Sequence, residues 1–170
     1  MCWKREYYHP RAVEHIARLL EEGFQPDDLF LTLGYFPGRQ PSSREAAFYF
    51  LRTDFIQRLQ RERKAQGVPC AYLYGLRWAA DGMPPEFSMV LSRGTETAEE
   101  LRRLWPYGVV ICRPLREMGA LPQLAHRLYL DAQSDTGRRS VPIRHSTHLG
   151  PQCKQRRYQT ASVLRERAAL

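Results

Sequence analysis

The chain lacks the features that would place it in a membrane or in an oxidising compartment. Its 170 residues contain no apolar run of the roughly 18 residues that a membrane-spanning helix needs. The first residues, Met1 to Glu6, lack the apolar stretch of a secretory signal. The four cysteines show no CxxC spacing, so they predict free thiols rather than a disulfide framework. Together these absences predict a cytoplasmic protein without membrane contact.

Acidic residues are scarce at the C-terminal end. Between Gly137 and Leu170, eight basic residues accompany a single acid, Glu166, so this segment carries a charge of +7 out of a net +8. The other 136 residues hold 18 basic and 17 acidic side chains. With 43% hydrophobic residues overall, this nearly neutral part is expected to form a core. A neutral body with a cationic end is typical of a polyanion binder, and a merely solvated tail is the alternative.

The pattern of apolar residues and turns predicts an α+β body over residues 1–136, followed by a basic C-terminal extension over residues 137–170. A helix at about residues 10–23 comes first, because apolar residues recur there at helical spacing. From Leu29 to Cys112 the order of elements is β-α-β-β-α-β, and another helix is expected from about Leu121 to Ala132. This order predicts a ferredoxin-like antiparallel sheet with its helices on one face.

Aromatic residues accompany the predicted strands, where they have two possible roles. In the second strand Tyr72 and Tyr74 share one face with Cys70 and Leu76, because alternate residues of a strand point to the same side. Exposed aromatic rings on a sheet can stack on unpaired bases. We expect core packing for most of these rings.

Several segments, taken in order, resemble a known family. The first strand is Leu29-Phe-Leu-Thr-Leu-Gly-Tyr35, and Tyr72-Leu-Tyr-Gly75 leads through Gly82 into a short strand that ends at Gly94. Then follow Glu99-Glu-Leu-Arg-Arg-Leu-Trp105, the helix Ala125-His-Arg-Leu-Tyr-Leu130 and a basic stretch. This succession resembles the small rolling-circle replication initiators of phages and plasmids, of the His-hydrophobic-His endonuclease class. The similarity lies in order and spacing, and the helix ending at Trp105 is its most characteristic segment.

The resemblance implies where a catalytic site would lie. In that family two histidines on the third strand bind a divalent metal, and a tyrosine on the following helix attacks the phosphate. The corresponding metal positions are Glu86 and Ser88, and the tyrosine is Tyr129. Glu86 could give one oxygen to Mg²⁺ or Mn²⁺, whereas Ser88 is a poor ligand. The alternatives are an exposed polar role for Glu86 and a core aromatic role for Tyr129. We therefore expect a degenerate metal site, no cofactor and no nicking activity.

The basic extension predicts contacts with phosphates, and the resemblance points the same way because the family's basic C-terminal stretch lies against DNA. His145, His148 and Cys153 do not complete a four-ligand zinc set. The predicted nucleic-acid-binding residues are Arg138, Arg139, Arg144, His145, His148, Lys154, Arg156 and Arg157.

These observations predict a DNA-binding protein of phage or mobile-element origin, with an initiator-like fold and without nicking. Two alternatives stay open. One is a phage-encoded inhibitor of a host nucleic-acid enzyme such as a CRISPR nuclease (an anti-CRISPR), which would make that nuclease a partner. The other is a divergent nickase that uses Tyr129 and a metal held by Glu86. The acidic residues are spread along the body, which disfavours simple mimicry of DNA by the inhibitor.

Overall fold

The structure is a computed structural model and describes residues 10–78, 83–133, 143–146 and 149. None of the helices in these ranges has the length and apolarity needed to cross a bilayer. Six of the predicted nucleic-acid-binding residues lie outside the described residues: Arg138, Arg139, His148, Lys154, Arg156 and Arg157.

The described residues form helices and an antiparallel sheet, which confirms the α+β class. The helices are α1 (Pro10–Gly23), α2 (Arg44–Phe50), a π-helix (Leu51–Ile56), α3 (Gln57–Ala65), α4 (Ala98–Arg103), a 3-10 helix (Leu115–Met118) and α5 (Leu121–Gln133). The strands are β1 (Leu29–Gly34), β2 (Tyr72–Arg77), β3 (Glu86–Leu91), β4 (Val110–Pro114) and β5 (Arg144–His145).

All five strands form one antiparallel sheet in the order β4-β1-β3-β2-β5. In the centre, Thr32 of β1 lies opposite Ser88 of β3, which itself lies opposite Gly75 of β2. The fifth strand extends the sheet beyond the four predicted strands, because Leu73 and Tyr74 pair with His145 and Arg144.

One face of the sheet is covered by the helices that connect its strands. Every second residue of β1, including Leu31 and Leu33, points to this face and is fully buried. Leu51, Phe55 and Leu59 cover them from the π-helix and α3, and Leu101 from α4. This cluster is the larger of the two cores.

The opposite face is covered by α1 and α5, so the prediction of helices on one face only is wrong. The apolar stripe Val13, Ile16 and Leu20 of α1 packs with Leu124 and Leu128 of α5 in a second core. Residues of β1, β2 and β3 that point away from the first core, such as Phe30, Leu73 and Val90, belong to it. The apolar stripes of α1 and α5 need a surface to cover, and the second face of the sheet supplies it.

Gly75 of β2 packs against α5 and the residue before β5. A Cβ at this position would lie 3.4 Å from the Ala132 Cβ, an ordinary van der Waals distance, and 2.9 Å from the Ile143 Cδ1. Because Cδ1 is the end of a flexible side chain, a small side chain at this position requires only that this methyl group shifts.

Part of the predicted basic extension packs on the body. The Tyr72 N–H donates to the Ser146 Oγ at 3.1 Å, and the Ser146 N–H donates to the Tyr72 carbonyl at 2.9 Å. Leu149 is 4% exposed and contacts Gly23 at the end of α1. Residues 143–146 thus contribute sheet hydrogen bonds, and Leu149 contributes apolar contacts.

Candidate nucleic-acid interface

The positions that the resemblance assigned to a metal and a nucleophile lie on the same face of the sheet. Ser88 and Glu86 alternate with the buried Phe87 and therefore point toward the α5 face. Tyr129 lies on α5 and belongs to the core on that face. The topology therefore brings Glu86 and Tyr129 to one side of the sheet.

The surroundings of Tyr129 are those of a core residue. Its side chain is 0% exposed, between α5 and the sheet. A nucleophile must reach a phosphodiester that a DNA strand presents at the protein surface. In this geometry the Tyr129 side chain contributes to packing, and the core around it separates it from the protein surface.

The side chains of Glu86 and Ser88 each interact with another side chain of the protein, Glu86 in an ion pair and Ser88 in a hydrogen bond. The Arg77 guanidinium lies 3.3 Å from a Glu86 oxygen across the β2–β3 pair, with both side chains 29% exposed. The Ser88 hydroxyl is buried and donates to Asp131 of α5 at 3.3 Å. Arg127 also lies 3.9 Å from that Asp131 carboxylate.

Metal ligands do not cluster here. Within the described ranges, no group of three or more His, Cys, Asp or Glu side chains is arranged to hold a metal ion. A cation beside Glu86 also competes with any metal for the same oxygens. The chemistry that this arrangement supports best is a structural ion pair and a buried hydrogen bond.

An apolar strip at the β4 edge of the sheet was missed by the sequence reasoning. Val109 before β4 and Ile111 in β4 are 49% and 46% exposed, and Phe36 just after β1 is 46% exposed. The strip lies on the β1–β4 side of the sheet, because the Gly34 and Phe36 N–H groups donate to the Val109 and Tyr107 carbonyls. The apolar character of Gly108-Val-Val-Ile is visible in the sequence, but the position of β4 at the edge of the sheet is not.

Two predicted nucleic-acid-binding residues, Arg144 and His145, form β5 and are exposed. The Arg144 guanidinium lies over the Phe48 ring of α2, 4.3 Å from its centroid. The His145 ring nitrogen Nδ1 lies 2.9 Å from the Ser146 carbonyl oxygen. Arg144 is the first basic residue of the extension that the structure describes. The pairing of β5 with β2 holds it against the face of the sheet that carries the first core.

Aromatic side chains of β2 and α2 line the surface beside Arg144. The Tyr74 ring lies 6.0 Å from the Tyr72 ring and 6.3 Å from the Phe48 ring. Burial raises the pKa of the Tyr74 phenol, and the positive charges of Arg144 and Arg52 partly offset that effect. Arg52 was not predicted as a site residue, because nothing in the sequence relates the middle of the long helix to residue 144.

A search of protein-family models, of curated proteins and of solved structures finds no match to this chain.

Proposed function

We propose that this chain is a DNA-binding protein of phage or mobile-element origin that acts in the cytoplasm and does not nick DNA. We also propose that β1 to β4 with their connecting helices are related to the ferredoxin-like arrangement of rolling-circle initiators. The position of β3 between β1 and β2 supports this relation. The second helical layer and β5 are additions to it.

The observation that carries the proposal is the placement of charge. The segment between Gly137 and Leu170 carries a charge of +7, and within it Arg144 is exposed on β5. Burial raises the pKa of Tyr74, and the charges of Arg144 and of Arg52 in the π-helix both act to lower it. Neither arginine forms an ion pair with a carboxylate of the described residues. Cations without acidic partners beside a basic segment favour contact with phosphates.

The burial of Tyr129 and the pairing of Glu86 with Arg77 support a function without nicking. Both side chains have structural roles that account for their presence. The proposed protein therefore holds DNA without chemistry on it, and it needs no metal.

The test compares DNA binding by the full chain and by a chain that ends at Gly150. This truncation keeps β5 and Leu149, and it removes five basic residues and one acid, a net loss of four positive charges. We expect weaker binding in a gel shift at low salt, because fewer phosphates are neutralised.

The control variant changes four exposed arginines on α1 and α4 to glutamine: Arg11, Arg18, Arg102 and Arg103. It loses the same net charge from other surfaces. Equal losses in the truncated chain and in this control would show that net charge alone matters, and absence of binding in the full chain would refute the proposal.

One observation favours the inhibitor alternative, namely the exposed apolar strip of Phe36, Val109 and Ile111. Exposed apolar groups of this kind are more typical of a protein contact than of a phosphate contact. A cleavage assay with a purified CRISPR nuclease tests it. Inhibition that is lost on Ile111→Asp, in a variant that still binds DNA, would favour this function.

A further inference from the structure

Arg144 and Arg52 meet on one small surface from different parts of the chain. Arg144 lies directly opposite Tyr74 in the β2–β5 pair, and its guanidinium stacks over Phe48. Arg52 follows Phe48 by four residues, which is about one helical turn. The side chains of Phe48 and Arg52 therefore lie on the same side of the helix, and both arginines lie near Tyr74.

The charges of Arg144 and Arg52 both act on the phenol of Tyr74. The ring is 4% exposed, and its hydroxyl lies where the positive charges of Arg144 and Arg52 favour the phenolate. Burial has the larger effect and raises the pKa of Tyr74, and the phenol oxygen accepts a hydrogen bond from Arg144. The neighbouring Tyr72 also has a raised pKa, again because of burial.

Two guanidinium groups near one phenol repel each other unless an anion lies between them. In the described part of the chain no carboxylate pairs with either of them. Stacking on Phe48 accounts for the position of Arg144. It does not account for Arg52, whose charge has no carboxylate partner among the described residues.

We propose that Arg52 and Arg144 together bind one backbone phosphate of a nucleic acid. Guanidinium groups match the geometry of phosphate oxygens and bind them through paired hydrogen bonds. The site rests on the proposed DNA-binding function and deepens it. It joins the basic extension to the body, because Arg144 belongs to the first and Arg52 to the second.

The partly exposed Tyr72 ring beside this site favours single-stranded nucleic acid as the source of the phosphate. Its ring lies 6.0 Å from Tyr74, at the outer end of the aromatic surface that starts at Phe48. An unpaired base next to the bound phosphate can stack on such a ring, whereas a paired base in a duplex cannot.

The test measures affinity for a short oligothymidylate in wild type, Arg52→Gln and Arg61→Gln. Arg61 is the matched control, because it is exposed on the following helix and forms no ion pair with a described residue. We expect Arg52→Gln to weaken binding about fivefold and Arg61→Gln to weaken it less than about twofold. The slope of the logarithm of affinity against the logarithm of salt concentration should also fall, by the equivalent of about one phosphate contact, in Arg52→Gln only.

A third variant, Arg52→Lys, keeps the charge but loses the paired donors, and should bind with intermediate affinity. Circular dichroism of each variant establishes that it is folded. Equal affinities of Arg52→Gln and Arg61→Gln, with tight binding by wild type, would overturn this site and leave the proposed function intact. Failure of wild type to bind would instead refute the proposed function.

A second arm uses inorganic phosphate and chloride at equal ionic strength and follows the thermal midpoint. We expect phosphate to stabilise wild type more than Arg52→Gln, because the site recognises a phosphate group. Stabilisation by phosphate without binding of the oligonucleotide would overturn the assignment to nucleic acid. A duplex that binds better than the single strand would overturn the role of Tyr72.

Discussion

At the scale of single residues, a charged pair in the first core holds together three segments of the chain. Arg63 is 0% exposed and donates from Nε and Nη2 to the two oxygens of Glu96, at 2.7 Å and 2.9 Å. A further nitrogen, Nη1, donates to the Ser92 hydroxyl and to the Pro69 carbonyl. Arg63 therefore links the end of α3 to the segment before β2 and to the segment after β3. All of these hydrogen bonds are donated by its buried, positively charged guanidinium group.

We predict that Glu96→Ala lowers the free energy of unfolding by about 3 kcal/mol, because it leaves the buried Arg63 charge without its partner. Urea denaturation measures the effect. The control is Glu99→Ala, which removes a surface pair with Arg103 whose side chains are 68% and 74% exposed. We expect little change in the control, and comparable losses in both variants would contradict this view of Arg63.

Tyr107 is predicted to make stability sensitive to alkaline pH. Burial, followed by the hydrogen bond to Asp54, raises the pKa of Tyr107 to about 12, against 10.0 for an ordinary tyrosine. The contribution of the neutral phenol to stability is therefore complete below about pH 10 and is lost as the pH rises toward 12. Denaturation of wild type and Tyr107→Phe over this range measures it, and the variant should lose less stability. Identical pH profiles would contradict the assignment.

At the scale of elements, the sequence predicted most of what is local and little of what depends on distant contacts. Helix α1 occupies residues 10–23 as predicted, because its apolar stripe and the terminal glycine are local signals. The layer that α1 forms with α5 could not be predicted, because an apolar stripe does not reveal which surface it covers. For the same reason β5 was missed: two residues carry no strand pattern, and pairing with β2 alone makes them a strand.

The candidate site shows the same division between local and distant information. Arg144 was predicted as a cation of a basic segment, whereas its contact with Phe48 joins residues 96 positions apart. The burial of Tyr129 also follows from packing of α5 on the sheet rather than from its own helix. Charge could be read from the sequence, and the neighbours of each charge could not.

We predict that β5 and Leu149 stabilise the body. A chain ending at Gly150 should retain the thermal midpoint of the full chain, whereas a chain ending at Thr136 should melt at a lower temperature. The shorter chain loses the hydrogen bonds between Tyr72 and Ser146 and the burial of Leu149. Equal midpoints of the two truncated chains would show that the segment packs on the body without stabilising it.

At the scale of the whole molecule, the two faces of the sheet have different uses in this account. The face under α1 and α5 carries Glu86, Ser88 and Tyr129, the positions at which the resemblance implies a site, together with the Ser88–Asp131 hydrogen bond. On the other face lies Tyr74, whose pKa is raised by burial, an effect that the charges of Arg144 in β5 and Arg52 in the π-helix partly offset. Binding of nucleic acid is thus expected on the opposite side of the sheet from the positions that an initiator would use for cleavage.

This separation predicts that Tyr129→Phe leaves DNA affinity unchanged. Incubation of wild type with Mn²⁺ and supercoiled DNA should give neither nicks nor a covalent adduct, because Tyr129 is buried. Gel electrophoresis under denaturing conditions detects both products. An adduct formed by wild type and absent in Tyr129→Phe would restore the nickase alternative.

The most direct test of DNA binding is the dissociation constant of the full chain for single-stranded DNA, measured across a salt gradient. If the protein uses the cations of β5 and the basic extension, its affinity for DNA should fall steeply as the salt concentration rises. The logarithm of affinity should fall by about 0.7 per phosphate contact for each tenfold increase in salt. We predict a slope that corresponds to several contacts. Binding that is undetectable at low salt, or that is unchanged as salt increases, would contradict the account.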